Sequence, residues 1–179
     1  MAALPPGIRR GVEMHRAIDL LTDQHPQVKA LNALIAKRHG RYASVLTDIG
    51  FDHFLFLHWQ DFGPEPFATF CTTTYHRILR QRPLMPEKAA RFATGMVEGK
   101  WLRMYGTVAG MNDVFRRLKK RLSQPELLDG VDTLLVDHHA EFNQAFISLF
   151  PDLQTLADGY RPQTTDLSGP ETDPLRPPA

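Results

Sequence analysis

Apolar residues return every three or four positions along most of this chain and almost nowhere alternate with polar ones, which predicts helices and no sheet. After the breaker cluster Leu4-Pro5-Pro6-Gly7, they fall at Ile8, Val12, Ile18 and Leu21, a helix to about Thr22. Pro26 suits the first turn of a second helix, Gln27 to His39, with Gly40 as its stop. Ser44 is placed to cap a third, which reaches about Gln60, and Asp61 to Pro66 reads as a loop. A fourth fits Phe67 to Gln81 and ends at Pro83-Leu84-Met85-Pro86. A fifth starts near Glu87, with break points at Gly95 or Gly99. The pattern resumes from Trp101 into Met111, and Asn112 is placed to cap Asp113 to Arg121. Pro125 opens a long helix to about Phe150, where Pro151 stops or kinks it.

The expected fold class is therefore all-α, a compact multi-helix bundle. A chain of 179 residues favours one domain, which we place over 1–160. The tail, 161–179, is rich in Pro, Thr, Asp and Gly, has no aromatics and is expected to be disordered. Net charge is +1, so no global field selects nucleic acid or a membrane as partner. The single cysteine, Cys71, excludes a disulfide framework and disfavours a thiolate zinc site. Neither a signal peptide nor an apolar run of the ~18 residues a membrane span needs is visible, and the expected location is cytoplasmic. Oligomeric state is not legible.

Two constellations carry candidate chemistry. His15 and Asp19 are i, i+4 neighbours on one helix face, and Asp23 continues that line. An imidazole and a carboxylate so placed can grip a cation; the alternative is a surface pair worth a few tenths of a kcal/mol, ~0.2–0.5. The second lies in Thr47-Asp48-Ile49-Gly50-Phe51-Asp52-His53-Phe54, an apolar stretch that continues to His58-Trp59. Asp48, Asp52, Leu55 and Trp59 share a helical face that is expected to pack inward, where unpaired carboxylates are costly. They then need a metal, or a cation such as Arg16 or a histidine. Imidazole and carboxylate ligands together suit Mn, Fe, Mg or Zn. Such an ion polarises a phosphoryl oxygen and activates water.

The segments His15-Arg16-Ala17-Ile18-Asp19-x-x-Thr22-Asp23-x-His25-Pro26 and Asp48-x-x-x-Asp52-His53-Phe54-Leu55-x-x-His58-Trp59 resemble the signatures of the acyl carrier protein phosphodiesterase family. Trp101-Leu102-x-x-Tyr105, Gly110-Met111, Leu118 to Arg121 and Phe146-x-x-Leu149-Phe150-Pro151-x-Leu153 follow in the same order, so the resemblance covers about Leu4 to Leu153. It implies a helical fold distantly related to the HD phosphohydrolases. It also implies a metal-dependent hydrolase, usually manganese-activated, with magnesium or iron as alternatives. The implied reaction splits the phosphodiester between 4′-phosphopantetheine and a serine of holo-acyl carrier protein. Carried over, the metal residues are His15, Asp19, Asp52 and His53. Asp23 and Asp48 are weaker matches placed around them, and Arg16 is a candidate for stabilising charge on the phosphoryl oxygens. Family members begin with a His/Leu/Asn-rich segment and a Gly-Asp motif whose acid is expected at the metal. Met1-Ala2-Ala3-Leu4-Pro5 begins after that motif. Either the start is assigned too late or this form is truncated; a truncated form is expected to have one ligand and one helix fewer, and an apolar patch beside the metal cluster.

Arg116-Arg117-Leu118-Lys119-Lys120-Arg121 is the densest basic run. Acyl carrier proteins are acidic, so Arg116, Arg117, Lys119 and Lys120 are candidates for docking one. Nucleic-acid phosphates are the alternative, weakened because no aromatic interleaves the run. His138 and His139 point about 100° apart and do not readily share an ion. Trp101 and Tyr105 read as core, and Cys71 has no neighbouring base in sequence. The alternatives to a carrier-protein phosphodiesterase are a phosphohydrolase of another small phosphoester and a non-catalytic carrier-protein-binding protein.

Overall fold

A computed structural model describes residues 5–161, and these form an all-α fold. The tail expected to be disordered lies outside the described residues, apart from Arg161. Helix α1 runs Pro6–Gln24, α2 Pro26–His39 and α3 Ala43–Leu57, followed by a turn of helix, α4, Trp59–Phe62. Helices α5 (Phe67–Gln81) and α6 (Glu87–Glu98) form a hairpin through a 3-10 turn at Arg82–Leu84. The chain then makes the short α7 (Trp101–Met104), α8 (Val108–Lys119), the single turn α9 (Leu134–Asp137) and the long α10 (His139–Asp158).

The first helices lie where the hydrophobic pattern puts them, and the reasons are local. Prolines occupy the first turns of α1 and α2, where no amide partner is lost. Gly40 takes a left-handed φ of 54° to end α2, with Lys37, Arg38 and His39 in the last turn facing the negative helix end. The second half departs from expectation in two places. The segment from Trp101 to Met111 is broken after Met104, and α8 is capped by Thr107, whose hydroxyl accepts from the Gly110 amide at 3.0 Å, not by Asn112. The region after Pro125 is two 3-10 turns, Pro125–Leu128 and Val131–Thr133, separated by Gly130 at a φ of 74°. Pro151 lies inside α10 without ending it.

Helices α2, α3 and α10 pack on one another and hold the core. On α3, Leu46, Phe51 and Phe54 face inward, and α10 answers with Phe142, Ala145, Phe146 and Leu149. The Phe54 and Phe142 rings are parallel with centroids 5.6 Å apart, and both are fully buried. Gly50 makes this approach possible. A Cβ there would stand 2.3 Å from Phe142 Cε1. Helix α1 packs on α2 and α10, leaving space between itself and α3.

Gly50→Ala is expected to destabilise the fold by about 1–3 kcal/mol, because overpacking against an immobile ring outweighs the ~1 kcal/mol helix-propensity gain. Urea unfolding checks it. A variant as stable as the parent would show that α3 and α10 can move apart freely.

Candidate active site

The space between α1 and α3 is an open cleft of about 590 Å³. Its walls follow from helical periodicity. His15, Ile18, Asp19, Thr22 and Asp23 line it from α1, and Ser44, Asp48, Phe51, Asp52 and Leu55 from α3. The floor is the apolar stripe Phe146, Leu149, Phe150 and Leu153 of α10. Four carboxylates therefore face one volume, and no Lys or Arg lines it.

The electrostatics follow from that crowding. Loss of hydration raises the Asp48 carboxyl above the usual range, and the charges of Asp23 and Asp19 raise it further. Burial pushes Asp52 up to about 6, with Asp48 adding to the rise. Water reaches the Asp52 side chain, but the surrounding walls strip part of its hydration. A hydrogen bond from Tyr105 pulls Asp52 the other way without winning. Tyr105 is pushed up to about 12, first by burial and then by the Asp52 charge. His15 Nδ1 stands 3.4 Å from Asp19 Oδ1, with both side chains well exposed.

Two of the residues proposed from sequence are not in the cleft. His53 is buried on a different face of α3, and its Nδ1 pairs with the Tyr105 carbonyl oxygen at 2.7 Å. Asp52 and His53 are successive, so they diverge by about 100°. Arg16 is exposed on α1 and lines no part of the cleft. Asp48 and Asp52 do not pack inward with Trp59 as expected, because α3 ends at Leu57. Trp59 turns away, and its indole donates to the Glu65 carbonyl at 2.8 Å. Thr22, Ser44 and Tyr105 were missed as parts of this site. The i, i+4 spacing of Ser44 and Asp48 marks the first of these, whereas Tyr105 reaches Asp52 only through the fold.

The basic run is divided by its partners. Arg116 pairs with Asp113 at 2.6 Å and Lys119 with Asp129. The Arg117 guanidinium lies over the Trp101 ring, 5.5 Å from its centroid, and Lys120 is exposed. His138 lies 3.8 Å from Glu141, and His139 sits against Phe54, so the two histidines diverge as their spacing requires.

A divalent metal has to be tested against these donors. No three His, Cys, Asp or Glu side chains of the described residues form a ready-made cage. The donor chemistry nevertheless fits a hard cation, which takes oxygen ligands and keeps waters on its open positions. The carboxyls on the α3 wall, raised by lost hydration and by neighbouring acids, are the charge problem that such a cation relieves.

The described residues thus form a helical bundle with an open cleft lined by four carboxylates. A model of the family described as acyl carrier protein phosphodiesterase matches residues 1–153, and the chain belongs to that family. A relative from Serratia proteamaculans (strain 568) is 28% identical over 153 residues, covering 85% of this chain and 79% of its own length. One from Photorhabdus laumondii is 29% identical over 149 residues, covering 83% and 75%. One from Escherichia coli O157:H7 is 25% identical over 156 residues, covering 87% and 81%. Each carries the name acyl carrier protein phosphodiesterase. No solved structure matches this chain. No helix among the described residues is long and apolar enough to cross a membrane.

The raised Asp52 carboxyl gives a pH prediction. Its folded pKa lies above its unfolded value, so ionising it penalises the folded state. That penalty is absent below about pH 4 and complete above about pH 6. Without divalent metal, Asp52→Asn should be more stable than the parent at about pH 8, with the gap closing at about pH 4. Urea midpoints at the two pH values measure this. An unchanged gap would show that the carboxyl is fully hydrated.

Proposed function

We propose that this chain is a metal-dependent phosphodiesterase. It would hydrolyse the bond between 4′-phosphopantetheine and a serine of holo-acyl carrier protein, giving apo-carrier protein and free phosphopantetheine. The observation that carries the reading is the cleft of four carboxylates with no Lys or Arg in its lining. Such a cleft repels a phosphodiester by itself, so a phosphoryl substrate needs a cation between them. The relatives' names supply the substrate.

The cation is a divalent metal, with manganese expected and magnesium or iron as alternatives. His15, Asp19 and Asp52 would hold it, with Asp23 and Asp48 adding negative charge. When bound, it supplies a Lewis acid for the phosphoryl oxygens and lowers the pKa of water. The protein's own groups do the rest. Asp52, pushed up to about 6 by burial in the metal-free protein, gives up its proton in order to serve as a ligand. The hydroxyls of Thr22 and Ser44 are available to donate to phosphoryl oxygens. Phe146, Phe150 and Leu153 offer the pantetheine arm an apolar floor that excludes water. His53 holds the Tyr105 backbone beside α3, which keeps the phenol near Asp52.

The test is release of phosphopantetheine from holo-carrier protein with manganese present and after exhaustive chelation. Release should occur only with metal. Asp52→Ala and Asp19→Ala should each lose about 100-fold or more, beyond the 10–100-fold typical of an outer-shell partner. His138→Ala should be nearly silent. Equal cleavage after chelation would overturn the metal mechanism, and parental activity in Asp52→Ala would remove that residue from it.

A further inference from the structure

A second, smaller hollow of about 170 Å³ opens on another face of α3. Ile49, Trp101, Met104, Val114 and Leu118 form an apolar wall, and Tyr105 closes it. Arg117 and Arg121 also line it, and both are exposed, so their charged ends stand at its mouth. No acidic residue contributes. Trp101 is held from two sides, by Phe92 packed edge-on at 5.2 Å and by the Arg117 guanidinium. The hollow has room for about one large aliphatic side chain.

The stretch of chain that builds most of it is strongly basic although the whole chain is nearly neutral. Between Phe67 and Arg121 lie twelve of the 21 Lys and Arg residues and only three of the 20 Asp and Glu. In the basic run, Arg116 and Lys119 are neutralised by Asp113 and Asp129. Arg117, Lys120 and Arg121 have no acidic partner among the described residues. An apolar socket ringed by unpaired cations is complementary to an apolar side chain flanked by carboxylates.

We infer that this hollow is a docking socket for an acidic protein, which inserts one apolar side chain beside Trp101 while its carboxylates meet Arg117, Lys120 and Arg121. This rests on the reading above, in which that protein is the carrier-protein substrate. The placement suits a substrate attached to a folded protein. Ile49 of the socket and Asp48 of the cleft are neighbours on α3. Tyr105 belongs to the socket wall, and its phenol is near enough to Asp52 to act on that carboxyl's pKa. A partner anchored here sits outside the cleft, on an adjoining face of the same helix, and only its prosthetic arm has to enter.

Binding of apo-carrier protein, which has no bond to cleave, tests docking apart from catalysis. Titration calorimetry at low and high salt would compare the parent with Arg121→Glu and Val114→Trp. Arg121→Glu should weaken binding about tenfold or more at low salt and much less at high salt, because a rim charge is screened. Val114→Trp fills the socket without changing charge and should weaken binding at both. Arg121→Gln, which keeps the fold's exposed surface polar, should fall between parent and Arg121→Glu. A parent that binds apo-carrier but never cleaves holo-carrier would remove the catalytic reading and leave the socket standing. A parent that does not bind apo-carrier, or folded Arg121→Glu and Val114→Trp that bind it like the parent, would overturn the socket.

Discussion

The contact between α3 and α10 is the constraint on which the rest depends. Helix α3 has to bury Phe51 and Phe54 while presenting Asp48 and Asp52 to water a fraction of a turn away. It does so because Gly50 lets the Phe142 ring sit against its backbone. The stack of Phe54 on Phe142 then fixes the rotation of α3 about its own axis. That rotation decides which residues reach the cleft. It aims Asp48 and Asp52 at α1 and turns His53 and Ile49 elsewhere.

The same rotation couples the two faces through Tyr105. Its carbonyl takes His53 on one side, and on the other its phenol acts on the Asp52 carboxyl. The chain carries this residue at the break between α7 and α8, just where regular structure stops. Gly110 allows the break, because a Cβ there would come within 2.0 Å of the Met104 carbonyl oxygen. Charge is distributed to match. Acids gather in the cleft between α1 and α3, and bases line the hollow beside α8.

Helices α1, α2 and α5 were legible because each begins or ends at a proline or glycine with one mechanical meaning, whereas α3 starts at Ala43 without the cap expected from Ser44. The second half was less so. Pro151 reads as a stop or a kink and lies inside a continuing α10, while the region before it hides two 3-10 turns around Gly130 that periodicity does not register. Of the site, the line His15, Asp19, Asp23 and the pair Asp48, Asp52 were readable from i, i+4 spacing. The exclusion of His53 was also readable, since the divergence that separates His138 from His139 applies equally to Asp52 and His53. Tyr105 and the Lys119–Asp129 pair were not, because each joins parts of the chain that only the fold brings together.

The central claim is that the crowded carboxylates of this cleft form a cation site whose protonation is set first by lost hydration, with their repulsion adding to it. Manganese titration followed by calorimetry in buffers of different ionisation enthalpy measures it directly. If Asp52 titrates at about 6, binding should release close to a proton below that pH and almost none at about pH 8, and Asp52→Asn should abolish the difference. Manganese binding with the same proton count at both pH values, or no binding at all, would contradict the account.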